Sequence, residues 1–327
     1  MIQKLFASAC LIICFALVQA QKATTPAPII FDSDMGPDYD DVGAITILHA
    51  FADSGKVNIL ATVASTKYAG VAGVMNVFNT YFKKPNIPIG VPKGKALELR
   101  DFQHWTDTLL AKFPHKIKSN DDVPDAIEVY RKALASQPDK SVVIVTVGFL
   151  TNLSNLLQSK ADKYSPLDGK ALVAQKVKQL VCMGGRFPAG SEFNVNQDAP
   201  ASQYTYTNWP TPIIFSGFEI GVKIKAGIPL IHNPLIANSP VKKVFSISIP
   251  MAAEDSLGRM SWDETAVLTA CGGYESYYKL QYGHIIVAAD GSNTWSNEGK
   301  QQAYLIEKEN PFVVEVVINQ LIMHQPK

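Results

Sequence analysis

Cysteine is scarce in this chain: 327 residues contain four, and two of them, Cys10 and Cys14, fall within the first twenty positions. Only Cys182 and Cys271 lie beyond, which excludes a disulfide-stapled scaffold. Cys182 sits in the apolar run LVCMGG and reads as a buried free thiol. An excess of either charge is missing too, since 30 Lys and Arg against 29 Asp and Glu leave a formal charge of +1. No Lys/Arg cluster interleaved with aromatics occurs, so the electrostatic footprint of a nucleic-acid binder is absent and the expected partner is a small molecule. No repeat, charge block or Pro/Ser-rich linker divides the chain. One apolar run, Leu5 to Val18, follows Lys4 and leads into Val18-Gln19-Ala20. It is shorter than the roughly 20 residues a membrane span needs, and it reads as a secretory signal peptide over residues 1–20, cleaved after Ala20. The expected address is secreted, in the periplasm; Ala7-Ser8-Ala9 before Cys10 leave a lipoprotein as the alternative.

The remainder, residues 21–327, is read as one domain, and the chain's 47% hydrophobic content can build a sizeable core. Continuous β-rich runs recur at Pro28–Phe31, Val57–Val63, Ser141–Val147, Val177–Met183 and Pro212–Phe215. Between them lie segments with helical spacing, among them Val42–Ala52, Val71–Phe82 and Asn152–Gln158. Apolar strands alternating with helices predict an α/β fold, an open and mostly parallel sheet with helices on both faces. Ligands of such sheets sit beyond the carboxyl ends of the strands. Asn310-Pro311 followed by Phe312–Met323 predicts a capped, structural helix.

The densest chemistry is DSDMGPDYDD, Asp32 to Asp41, with five carboxylates in ten residues between the apolar run ending at Phe31 and the one beginning at Val42. A strand ending in acids, a Gly-Pro turn and a helix starting with two more acids bring negative charge to one point, and a cation is expected there. Oxygen donors without nearby His or Cys indicate Ca²⁺ or Mg²⁺ rather than zinc. An EF-hand fails, because its sixth position must be Gly and its twelfth Glu, where this chain has Pro37 and Gly43. A haloacid-dehalogenase-like phosphatase also opens strand-D-x-D, with Asp32 as nucleophile. Helix capping by acids stabilises by roughly 0.3–1 kcal/mol each and accounts for one or two of the five.

These residues carry a family resemblance. The acidic loop resembles the strand, D-T-D-P-G-x-D-D, helix signature of the calcium-dependent nucleoside hydrolases (the inosine/uridine-preferring ribohydrolases). Four further blocks follow in order: VGFLTN (Val147–Asn152) resembles G-P-L-T-N, VCMGG (Val181–Gly185) resembles V-x-M-G-G, SEFNVNQD (Ser191–Asp198) resembles A-E-F-N-x-x-x-D, and WDETAVL (Trp262–Leu268) resembles H-D-P-L-A-V. Five blocks in order are far more specific than any one. The resemblance implies Asp34 as general base and, with Asp41, Asp263 and the Thr151 carbonyl, as a Ca²⁺ ligand. It implies sugar contacts from Glu192, Asn194 and Met183, and from Asp40 or Asp38, since the turn is two residues longer than the common pattern. Asp32 would brace the loop. Glu192 and Asn194 share a face if their segment is extended.

The chain also departs from the family. Thr66, after Ser65, stands where most members have a sugar-binding Asn, and the loop between Gly185 and Glu192 is short. Trp262 replaces the His that protonates the leaving base in nonspecific members; the purine-preferring branch has an aromatic ring there and grips the base by stacking. Trp105 is the candidate for a second ring, and His104 a candidate acid. Tyr282, Asp290 and Trp295 are read, on location alone, as a flap over the pocket. The expected activity is hydrolysis of the N-glycosidic bond of purine ribonucleosides, by a homodimer or homotetramer with no membrane partner beyond export. The rivals are a nucleoside- or ribose-binding module without turnover, and the phosphatase.

Overall fold

Strands form where the apolar runs are bounded by turn residues. In the computed structural model, which describes residues 25–327, they are β1 (Ala27–Ser33), β2 (Val57–Ala64), β3 (Ile89–Gly90), β4 (Val142–Thr146), β5 (Val177–Met183), β6 (Ala189–Ser191), β7 (Ile213–Ser216), β8 (Lys225–Ala226), β9 (Arg259–Met260), β10 (Tyr278–Val287), β11 (Ser292–Ser296) and β12 (Gln302–Glu307). The leader read at residues 1–20 lies outside the described residues. Ten strands make one sheet in the order β3-β2-β1-β4-β5-β7-β12-β10-β11-β6, and β8 pairs with β9 apart from it. Pairing is parallel from β3 to β12 and antiparallel from β12 through β10 and β11 to β6. The sheet is thus mostly parallel, as its apolar strands require.

Helices cover both faces. Ile29 and Phe31 of β1 belong to one buried cluster and Ile30 to the other, with Val143 and Val145 of β4 in the first and Val142 and Ile144 in the second. Alternate side chains point to opposite faces, so both layers are apolar. The last helix, Pro311–Ile322, is capped by the Asn310 side chain, which accepts from Phe312 N.

Two features of the topology position the site. Chain order reverses between β1 and β4, because β2 flanks β1 on the other side; such a switch point opens a crevice at the carboxyl ends of the strands. The first helix, Asp40–Asp53, crosses the helix Trp262–Gly272 so closely that a Cβ on Gly43 would fall 2.0 Å from Glu264 Oε1. That crossing lays the acids that start one helix beside the acids that start the other.

The three residues expected to form a flap lie in the sheet and one of its turns instead. Tyr282 and Trp295 are strand residues of β10 and β11, and Asp290 lies in the turn joining them. Trp295 packs edge-on against Phe187 at 5.2 Å and Tyr304 at 5.0 Å. It belongs to the sheet's packing.

Candidate active site

Beyond Ser33 the chain turns sharply before the first helix. Ser33 Oγ donates to Asp41 Oδ1 at 2.5 Å, and Met35 N donates to the same oxygen at 3.1 Å. Tyr68 Oη donates to the Met35 carbonyl at 2.7 Å. These bonds fix Asp34 between two anchored neighbours, with 5% of its surface exposed. At the base of the loop Asp32 is fully buried and accepts from Tyr130 Oη at 2.7 Å and Asn152 Nδ2 at 3.0 Å. A nucleophile must reach its substrate, and Asp32 has no exposed surface; the phosphatase reading does not fit.

A cavity of about 200 Å³ opens at the switch point, walled by Asp34, Asp38, Asp40, Asp41 and Asp263 together with Met183, Glu192, Asn194 and Trp262. Nine residues singled out in the sequence therefore meet in one place. Val147, Ser191, Phe193 and Phe218 complete the wall. A larger open groove of about 790 Å³ elsewhere carries Lys112, Lys242 and Lys243 but no carboxylate, histidine or cysteine, and so offers no acid-base pair.

Burial pushes the Asp34 carboxyl well above the usual carboxylate range, and the charges of Asp41 and Asp38 push it further. Asp263 is raised by burial and then by Asp40, Asp41 and Asp34. Asp41 rises to about 7 by burial and by Asp40, against its bond from Ser33. Asp40 rises less, to about 6, because burial is offset by Arg259. Among the described residues Asp34, Asp41 and Asp263 have no cationic side chain paired with them. Like charges held together without a counterion call for one, and an all-oxygen donor set suits a hard divalent cation. As the side chains stand, no three His, Cys, Asp or Glu among the described residues are gathered tightly enough to grip an ion. The fit therefore rests on donor chemistry and mutual charge.

Glu192 caps the helix Phe193–Gln197, accepting from Asn194 N at 2.8 Å, Val195 N at 3.1 Å and Gly185 N at 3.1 Å. Burial raises its carboxyl to about 7 against those bonds. Glu192 and Asn194 thus share the cavity through a helix cap rather than through strand alternation. Asn194 Nδ2 donates to the Val147 carbonyl at 3.0 Å and to Met183 Sδ at 3.4 Å. Trp262 Nε1 donates to the Phe218 carbonyl at 2.9 Å, and the two rings lie 5.2 Å apart.

Three expected residues, Thr66, Trp105 and His104, stand elsewhere. Thr66 is buried with its hydroxyl donating to the carbonyls of Leu97 and Leu99 at 3.0 and 3.1 Å; it latches a loop and does not wall the cavity. Trp105 is fully buried in the core at the start of the helix Trp105–Lys112, so its ring has no free face for a base. His104 is exposed, 3.2 Å from Asp107, and also off the cavity. Thr151 begins the helix Thr151–Gln158 with its hydroxyl bonded to Asp198, and its side chain is not on the wall. The residues missed are informative. Phe193 lay inside the SEFNVNQD block, and Phe218 follows the carboxyl end of β7, where the strand-end rule points. Arg259, buried against Asp38 and Asp40, had no sequence signal.

Fold and site together define an α/β protein that gathers carboxylates from both ends of its chain at the switch point of a parallel sheet. The chain belongs to the inosine-uridine preferring nucleoside hydrolase family, whose model matches residues 29–303. It is 24% identical over 236 residues to the pyrimidine-specific ribonucleoside hydrolase RihA of Shewanella sp. (strain ANA-3), a match covering 69% of this chain and 66%, just under two thirds, of that protein. Its fold resembles that of a plant nucleoside hydrolase, with a TM-score of 0.69 at 19% identity over 91% of this chain and 99% of the other. It also resembles the inosine-uridine preferring nucleoside hydrolase of Bacillus anthracis, with a TM-score of 0.69 at 15% identity over 91% and 99%.

Proposed function

We propose that the protein hydrolyses the N-glycosidic bond of ribonucleosides, purine nucleosides preferentially, with a bound Ca²⁺. The observation that carries this reading is the meeting of Asp263, from late in the chain, with Asp34 and Asp41, from its start, in one cavity. Those three carboxylates would hold the ion, with the Thr151 carbonyl as the further donor the resemblance implies. When bound, the cation supplies Lewis acidity to a water and to the sugar hydroxyls. Asp34, whose ionised form burial alone disfavours, would be held ionised beside it. Asp34 then takes the proton of the water that attacks the anomeric carbon, while the departing bond develops an oxocarbenium-like sugar. Glu192 and Asn194, each fixed by its own hydrogen bonds, orient the sugar.

The base is held by stacking. Trp262, Phe218 and Phe193 present aromatic surface to the cavity, and base-aromatic stacking contributes roughly 1–3 kcal/mol per base. Trp262 cannot protonate the leaving base: indole is no acid at working pH, and its N–H is already given to Phe218. The larger purine ring gains more from this wall, which supports the purine preference; a pyrimidine preference is the second reading, favoured by the name of the Shewanella relative. Release of free base from inosine, adenosine, guanosine, uridine and cytidine separates the two. Binding of nucleosides without release of base would favour the non-catalytic module. Periplasmic export through residues 1–20 and a homodimer or homotetramer belong to the same proposal, and are read by fractionating cells expressing the full chain and by light scattering.

A further inference from the structure

Arg259 sits in β9 with its side chain 8% exposed and packs against two rings: the guanidinium carbon is 5.2 Å from the Tyr39 centroid and 5.0 Å from that of Trp262. Its Nη2 is 2.6 Å from Asp38 Oδ1, while Nε and Nη2 donate to Asp40 Oδ1 at 3.2 and 3.1 Å. Asp255 lies 3.8 Å from Nη1 and accepts from Tyr39 Oη at 2.5 Å. Asp38 and Tyr39 belong to the turn that is two residues longer than the family's common pattern, so the extra length and the buried arginine form one assembly.

The two acids of that turn are treated differently. Asp40 Oδ1 has both lone pairs taken by the guanidinium, Oδ2 accepts from Asp263 N at 3.3 Å, and the side chain is 4% exposed. Asp38 gives one oxygen to Arg259, and its side chain stays 48% exposed on the cavity wall. A carboxylate has room for about four hydrogen bonds, and a fixed ion pair aims the ones left over.

Resting on the hydrolase reading above, we infer that Arg259 is a positioning residue that withdraws Asp40 from the sugar and presents Asp38 as the acid that accepts a sugar hydroxyl. Asp40 then serves to lock the start of the first helix to the start of the helix Trp262–Gly272, through Arg259 and Asp263 N. The same guanidinium backs the Trp262 ring, so sugar contact and base wall are set by one side chain.

The test is a double-mutant cycle on inosine hydrolysis, with melting temperatures taken in the same buffer. Asp38→Asn is expected to raise KM about tenfold, the loss of one hydrogen bond to a charged acceptor, with kcat and melting temperature little changed. Asp40→Asn is expected to lower the melting temperature. Arg259→Met frees Asp40, so adding Asp38→Asn in that background should raise KM only about twofold. If Asp38→Asn leaves KM within about twofold of wild type, or if Asp40→Asn raises it tenfold without loss of melting temperature, the assignment is overturned. Both single variants decide the matter even if Arg259→Met does not fold. Should wild type release base from no nucleoside, the hydrolase reading fails separately; calorimetric binding of free ribose, weakened about tenfold by Asp38→Asn and not by Asp40→Asn, then decides the role of Asp38 on its own.

Discussion

Gly148 is the position where the smallest possible change should do the most damage. It follows Val147, whose N–H donates to the Asp32 carbonyl at 2.8 Å, and so it packs directly under the acidic turn. A Cβ there would fall 2.4 Å from Asp34 N, 2.5 Å from Ser65 Oγ and 3.0 Å from Asp34 Cβ, whereas ordinary contact begins at 3.4 Å. Ser65 cannot simply rotate away, since its hydroxyl accepts from Phe149 N at 3.0 Å. The backbone of Asp34 must yield by about 1 Å, and overpacking of this kind costs about 1–3 kcal/mol. Displacing the proposed base Asp34 by that distance is expected to lower kcat by about a hundredfold. Gly148→Ala is therefore assayed by thermal unfolding and by inosine turnover beside Gly94→Ala, where a Cβ meets nothing within 4 Å. A Gly148→Ala protein with the melting temperature and kcat of wild type would refute the close approach of the segment after β4 to the turn.

Trp262→Ala should raise KM for inosine by roughly 1–3 kcal/mol of lost stacking, while Trp262→Phe keeps most of the affinity; equal KM values for all three proteins would remove Trp262 from the base wall. His49 makes a separate prediction about stability. It is buried, stacked on Phe82 at 4.6 Å with Nε2 3.1 Å from Asn79 Oδ1, and burial pushes its pKa down from 6.5 to about 3. The folded state therefore holds it neutral, a contribution fully present above pH 6.5 and lost as pH falls toward 3. Between pH 6.5 and 5.5 wild type should lose roughly 1 kcal/mol more than His49→Gln. Urea unfolding at both pH values reads this difference, which vanishes if the imidazole protonates freely in the fold.

The parallel half of the sheet was legible because both of its faces are largely buried: runs such as Val57–Ala64 and Val177–Met183 are mostly apolar, with their polar residues near one end or single, and need no alternation to be recognised. The antiparallel half was not. Tyr278–Val287 mixes Lys279, Gln281, Gly283 and His284 into its strand, so neither a continuous run nor clean alternation marks it, and its aromatic residues read as a flap. The carboxylates of the site were legible because like charges so densely placed have few purposes. Their surroundings were harder. Thr66 and Trp105 stand close in sequence to strand ends and polar loops, but tertiary packing turns one toward carbonyls and the other into the core. Arg259 is a single cation whose meaning comes from Asp38, Tyr39 and Asp40, more than two hundred residues earlier, a relation no local spacing encodes.

In the proposed mechanism one divalent ion, gathered by acids far apart in the chain, would make Asp34 an effective base. This is tested by measuring hypoxanthine release from inosine by chelator-treated protein, with and without added Ca²⁺, for wild type and Asp34→Asn. The expected result is that Ca²⁺ restores turnover to wild type and leaves the variant inactive. Turnover that survives chelation undiminished, or an Asp34→Asn protein as fast as wild type, would contradict it.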